Sequence, residues 1–441
     1  MPMRSKPDAE AKRAASEGGK PAVARGQVPA RIDVAIAGGG LIGSAIAWAL
    51  AERDIVDVCV IDVGTPDYPS LPPEAVPLAR ASFAQPINRA TSLLTLEFIR
   101  ERAEELGFRS RGSLWLSPRD RACLLEDAAD LAPQVWSDSE LLARCPVLDR
   151  VPDEGLHACY VAGDGTLEAA VMTRWFRDRA IERGVHFLDR HYLEGIETAE
   201  PDPGSRRATT LLMRALPPID RLASLIGAAL SRHSVPHSHE DRVELRPGLF
   251  INALGAWSNL LAAKLGLPAL TRPVRRQLAR VSVRGGDLPA GIDIGALPLI
   301  VDPAQLYFCP EGSYTLAGHS SDAPSGGYPL EYDGATYFND HIWPRVARVA
   351  SCFERSVHVR GRSTLRGMTP DASGVLGWVK GLSNVIEAHG FAGGGLSHCV
   401  AVGRGVAELI ADGGYQKLDL SPLSPERFRT GKNLLPEPLA L

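Results

Sequence analysis

The 441-residue sequence predicts an α/β fold: a Rossmann-type domain into which a second, α+β domain built on a mainly antiparallel sheet is inserted. Three observations predict it. A short apolar strand runs into Gly38-x-Gly40-x-x-Gly43 and then into a helix of good formers. The same order of strand, Gly-rich turn and helix returns between Val385 and Asp412. Between the two, from Gly112 and again from Leu249 to about Gly318, strand-like pieces dominate.

Taken in order, residues 1–30 read as a disordered tail. They are rich in Lys, Arg, Ala, Gly and Pro, carry Asp8, Glu10 and Glu17, and lack the apolar stretch of a secretory signal. The acids also rank a disordered tail above a transit peptide. Ile32 to Ala37 is apolar enough for a buried parallel strand, and Ser44 to Glu52 for the helix after the turn. Val56 to Ile61 is a second strand, ending on Asp62. The Pro-rich run Thr65 to Pro77 cannot stay regular. Thr91 to Glu105 has helical spacing, Gly112 to Ser117 reads as a strand, and Leu167 to Gly184 is a helix stopped by glycine. Residues 201–244 hold an amphipathic piece, Ile219 to Ser231, and are left as an unassigned insert. Leu249 to Ser258 reads as strand, turn and helix start, Leu306 to Gly312 as a strand, and Ser397 to Asp412 as a helix. The nucleotide-binding half is therefore assigned to 31–105, 150–200, 245–265 and 360–430, and the second domain to 106–149 and 266–359.

Bulk composition narrows the function. A formal charge of -4 provides no basic field for nucleic acid. No run of about 18 apolar residues suggests a transmembrane helix. Seven cysteines, odd in number and without a CxxC pair, argue against a disulfide framework and a zinc site and suit a reducing, cytoplasmic compartment, with mitochondrial import left open. His233, His237 and His239 lie close together in a polar, turn-rich stretch, which reads as a solvated loop rather than a metal site. No metal ligand set is assigned.

The fingerprint Gly38-Gly39-Gly40-Leu41-Ile42-Gly43 carries the chemistry. Gly38 suits the tight turn, Gly40 lets backbone approach a pyrophosphate, and Gly43 allows close helix–strand packing. The pyrophosphate would sit at the helix N-terminus, where free N–H groups favour negative charge. Asp62, 19 residues after Gly43, has the spacing of the acid that binds ribose hydroxyls and disfavours a 2′-phosphate. FAD and NAD both fit these residues.

Four segments resemble the D-amino-acid-oxidase-like FAD oxidoreductases, which include glycine and sarcosine oxidases. They are the Gly38 to Asp62 unit, Phe250 to Ser258 (FINALGAWS), Leu306 to Gly312 (LYFCPEG), and Leu365 to Asp371 (LRGMTPD) with Asn384 to Gly395 (NVIEAHGFAGGG). The likeness spans about residues 32–430. Phe83 to Asn88, the spacing from Ile342 to Gly377, and Leu418 to Leu423 mark a narrower group within that family. The resemblance implies a non-covalent FAD, because Thr364 stands roughly where sarcosine oxidases carry the linking cysteine. It adds Ala253, Gly255, Gly390, Gly393, Gly394 and Gly395 to the candidate cofactor-binding residues. The late glycines precede a helix whose positive end would stabilise reduced, anionic flavin.

It also implies that Arg366 grips a substrate carboxylate and that Tyr307 lines the substrate pocket. The alternatives are an ion pair of Arg366 with an acid such as Asp371, and a packed core position for Tyr307. His389 and His398 flank the late turn, as flavin neighbours or as packed histidines. Cys309 replaces the family's arginine, Pro77-Leu78-Ala79-Arg80 lacks the glycines of its flavin loop, and its oxygen-activating lysine has no clear counterpart. The activity implied is oxidation of a small amine or amino acid to an imine by hydride transfer to flavin, with oxygen or a partner protein as acceptor. Two other readings stay open: an FAD-binding protein of little turnover that acts in assembling a larger complex, and a nicotinamide-dependent dehydrogenase. Homo- or hetero-oligomers are compatible with either.

Overall fold

The computed structural model describes residues 28–66, 77–118, 124–150, 156–216, 242–284, 288, 290–320 and 327–440. The expected tail up to residue 27, Ile219 to Ser231, and His233, His237 and His239 lie outside them.

Alternation along the first strand, Arg31–Ala37, builds the first half of the molecule. Val34 and Ile36 face one way, into a core shared with four helices, and Ala35 and Ala37 face the other. Both faces are apolar because both are covered, as a parallel sheet requires. Arg31–Ala37 pairs in parallel with Val58–Ile61 on one side and with Arg242–Asn252 on the other. His186–Leu188 and Val385–His389 extend the parallel sheet at its two edges, and Val375–Trp378 adds an antiparallel strand. Helices Leu41–Ala51, Pro86–Glu101, Ala169–Glu182 and Gly395–Ala411 cover one face. Trp48 anchors that layer, its ring 5.2 Å from Phe98 and 5.1 Å from Phe176. A meander covers the other face, where His191–Ala199 pairs with Arg207–Ala215 and that strand with Arg242–Asn252. Part of the segment left unassigned in the sequence therefore closes the nucleotide half.

The second half is an eight-stranded sheet, antiparallel but for the pairing of Leu299–Val301 with Ser113–Pro118. One face packs on the helical segment Ala335–Val349 through Tyr337, Phe338, Ile342 and Val346. The other carries Trp115, Leu278, Tyr307 and Leu316 toward Leu78 of the first half. Leu156–Val161 and Val357–Met368 both pair in this sheet. The division expected at 150 and at 360 therefore shifts, because Leu156–Val161 and residues 360–368 were counted with the nucleotide half. The architecture is α/β with an inserted antiparallel sheet. Among the described residues no helix is long and apolar enough to cross a membrane.

Candidate functional site

Gly38 leaves the first strand with φ +102°, and a Cβ there would lie 2.5 Å from the Ala253 carbonyl oxygen. Its amide donates to Ile61 O at 2.8 Å, fixing the turn between two parallel strands. At Gly43 a Cβ would fall 1.8 Å from Gly38 O, so only glycine lets the helix lie this close. Gly40 differs. Its φ of -69° and ψ of -168° suit any residue, and an added Cβ would meet nothing within 4 Å. The chain itself has no need of glycine at 40; the bare backbone leaves room for something outside the chain.

That room is a cavity of about 310 Å³ lined by Gly39, Gly40, Leu41, Ile42, Asp62, Ala253, Gly255, Arg366, Gly390, Gly393 and Gly395. Eleven of the fifteen candidate residues thus meet around one space. Gly38, Gly43 and Gly394 support the turns behind it. Two helices begin at its wall, at Leu41 and at Gly395. Both have glycine at the N-cap, no side-chain cap and no acid in the first turn, so neither helix start is capped by its own side chains. A ligand with negative charge at two separated places fits this arrangement. Asp62 Oδ2 accepts from Gly39 N and Oδ1 from Gly64 N, each at 2.6 Å. The carboxylate therefore ties together the backbone of the glycine turn and of the loop after the second strand, on the wall of the cavity.

At the far wall stands Arg366, 8 % exposed, packed on Gly393, where a Cβ would lie 2.3 Å from its Nη1. Asp371 is not its partner. That carboxylate is held by Arg427, with Nε at 2.8 Å and Nη2 at 3.0 Å, and the alternative of an Arg366–Asp371 pair is set aside. No hydrogen bond or ion pair to a described residue engages the Arg366 guanidinium. Burial, with the charge of Arg276 nearby, pushes its pKa below the ordinary range. A buried, unpaired guanidinium on a cavity wall is a strong site for a carboxylate.

Tyr307 is buried in the core between the sheets, beside Gly318, and does not line the cavity. Its hydroxyl has no hydrogen-bond partner among the described residues, and burial raises its pKa. The loop at Pro77 to Arg80 forms a short strand, Leu78–Ala79, paired with Gly165–Thr166. Arg80 N donates to Ser397 Oγ at 2.9 Å, tying this loop to the late helix. Its buried guanidinium donates to the carbonyls of Ser82 and Leu439 and lies 3.8 Å over the Phe83 ring, and burial lowers its pKa to about 10. The loop that lacks glycine is thus anchored through side-chain and backbone contacts.

Sequence reasoning did not select three other lining groups: Ala169, Ala170 and Thr173, then Arg177, and Thr364, whereas His389, weighed as a flavin neighbour, does line the cavity. The first three share one face of a helix and are short, a signal that was readable. Arg177 is held in place by Asp189, at 2.9 and 2.6 Å.

A family model described as DAO, FAD dependent oxidoreductase, matches residues 33–409. FAD-dependent oxidoreductase domain-containing protein 1 of Xenopus laevis is 27% identical over 92% of this chain and 84% of its own length. Its homolog in Drosophila melanogaster is 25% identical over 90% and 78%. Among solved structures, L-proline dehydrogenase from P. horikoshii superposes with a TM-score of 0.75 at 20% identity, covering 92% of this chain and all of that one. Glycine oxidase from Geobacillus kaustophilus gives 0.66 at 21%, covering 90% and 98%. At these identities the structures are evidence of a shared fold.

Proposed function

The chain belongs to the DAO family of FAD-dependent oxidoreductases, with FAD as cofactor, and from that premise we propose that it oxidises a small amine or amino acid bearing a carboxylate. The observation that carries the reading is Arg366, buried and unpaired on the wall that also holds Gly393. The Leu41 helix end and Gly40 hold the pyrophosphate, Asp62 the ribose, and the Gly395 helix end the flavin. Bound FAD supplies acceptance of a hydride from the carbon next to nitrogen, giving an imine that water hydrolyses.

The chain's own residues supply position and field. Arg366 fixes the substrate carboxylate through two parallel bonds, which orients the reacting carbon. The positive end at Gly395 favours the charge that develops on reduction. Tyr307, one shell behind the cavity, backs the pocket and is assigned no direct contact. The names of L-proline dehydrogenase and glycine oxidase support amino acids as the substrate class. With no counterpart of the family's oxygen-activating lysine found, a dye or protein acceptor should serve better than oxygen.

The test is anaerobic mixing of the yellow protein with a panel of N-methyl, secondary and D-amino acids. Bleaching of the flavin by a member of the panel supports the reading. Absence of bleaching with every amine would favour an FAD-binding role in assembly of a larger complex.

A further inference from the structure

Three buried polar groups line up on one face of the parallel sheet beside the cofactor cavity. Glu387 Oε2 lies 2.5 Å from His389 Nε2 and accepts from Asn252 Nδ2 at 2.8 Å. The histidine and glutamate side chains are each 3% exposed. A carboxylate only accepts, so Nε2 carries the imidazole proton and Nδ1 keeps its lone pair. Nδ1 is buried and has no partner among the described residues. His389 lines the cofactor cavity. Glu387 lines a second cavity, of about 350 Å³, whose wall includes Arg206, Leu267, Val379, Lys380 and Arg429. Val385 shares the sheet face of Glu387 and His389 by strand alternation, and it packs with Val379 and Leu382 toward that second cavity. One hydrogen bond, running along this face of the sheet, therefore joins a residue on the wall of one cavity to a residue on the wall of the other.

We infer that Glu387 and His389 form a proton relay between the cofactor cavity and the second cavity. A proton reaching Nδ1 from the cofactor side is matched by the Nε2 proton leaving for the Glu387 carboxylate. The carboxyl then gives its proton to water in the second cavity. The pair gains no charge overall, no electrons move in the relay, and the return of a proton along the same path puts the imidazole proton back on Nε2. Asn252 holds the carboxylate at the ring through both steps. The relay runs in reverse when a proton is needed inside.

The chemistry has a use for it. An aliphatic amine arrives as an ammonium ion and can give up a hydride only after losing one proton, which must leave a closed site. The electron pair and hydrogen go to FAD while that proton leaves. Reoxidation by oxygen or a quinone, which depart as hydrogen peroxide or a quinol, draws one proton back. This use rests on the function proposed above; the relay itself requires only that FAD is reduced and takes up a proton.

The test therefore avoids amines. The FAD-loaded protein is reduced to the two-electron level by excess flash-generated 5-deazaflavin radical in a lightly buffered pH-dye solution, FAD taking two electrons and one proton, and flavin bleaching and proton uptake are read on the same shot. In the parent, uptake should keep pace with reduction. Glu387→Gln preserves the shape and the hydrogen bonds but cannot carry the proton, and should delay uptake at least about tenfold with FAD retention unchanged. Leu267→Trp, which fills the second cavity away from FAD, should cause the same delay. Uptake at the parent's rate in Leu267→Trp, or in a folded, flavin-loaded Glu387→Gln, overturns the relay. If Glu387→Gln does not fold, the Leu267 variant decides alone. A silent amine panel with these delays intact would sink the proposed substrate and leave the relay standing.

Discussion

Replacing two glycines five ångströms or so apart in the same turn should have opposite consequences, for reasons that can be worked from their surroundings. At Gly40 an added Cβ meets no protein atom within 4 Å and the backbone is already in an ordinary region. Gly40→Ala loses a few tenths to about 1 kcal/mol as an N-cap and regains about 0.4–1 kcal/mol from a stiffer unfolded chain, so the flavin-free fold should change little. The methyl group instead takes the space for the pyrophosphate. Losing one charge-assisted bond to it, about 1.5–3 kcal/mol, weakens FAD by about tenfold to a hundredfold. At Gly43 the Cβ would fall 1.8 Å from Gly38 O, so the helix must move off the strand. Such overpacking costs about 1–3 kcal/mol or more, and Gly43→Ala should melt earlier even without flavin. Thermal melts of the flavin-free proteins and titration of each with FAD by fluorescence quenching separate the two. The reasoning fails if Gly40→Ala binds FAD as the parent does, or if it destabilises the flavin-free protein as much as Gly43→Ala.

Asp62→Ala removes the acceptor for Gly39 N and Gly64 N as well as the ribose contact, so FAD affinity should fall and proteolysis of the turn should speed up; unchanged affinity would contradict the ribose role. Arg427→Met strands the buried Asp371 carboxylate and should cost about 3–5 kcal/mol, read in a denaturant melt. Burial raises the Asp371 pKa, but the bonds and charge of Arg427 outweigh it and hold it below the usual range. Its stabilisation is therefore complete above the unfolded carboxylate range and lost as pH falls through the depressed folded value. His398 behaves likewise for a different reason: burial, then the charge of Arg80, lowers its pKa to about 3. The folded state thus resists its protonation, and stability should fall as pH drops from 6.5 toward 3, less steeply in His398→Gln.

The nucleotide half was legible because its signals are local. Gly38, Gly40, Gly43 and Asp62 sit within one short unit, and each spacing has a single steric or hydrogen-bonding meaning. The late turn was legible for the same reason. Arg366 could be located but not interpreted, since its meaning depends on which acid is absent. Asp371, five residues away, is taken by Arg427, 56 residues further along, and no spacing reveals that. Leu156–Val161 and residues 360–368 were counted with the wrong half because a strand's apolar pattern names a covered face, not the sheet it joins. The meander from His191 to Asn252 was blurred by half-buried strands of mixed polarity. His389 stood out beside the glycines, while Glu387 passed as one more polar residue, although two positions apart on one strand places them on one face.

Arg366 is proposed to hold the carboxylate of an amine oxidised by the bound FAD. This role is tested most directly by anaerobic flavin reduction in the parent and in Arg366→Ala, using an amino acid that bleaches the parent and the matching amine without its carboxyl group. Arg366→Ala should lose a bidentate charge-assisted contact of about 1.5–3 kcal/mol, weakening binding of the amino acid about tenfold to a hundredfold, with slow reduction by the carboxyl-free amine the same in both proteins. Equal binding and bleaching of the amino acid by parent and variant would contradict it.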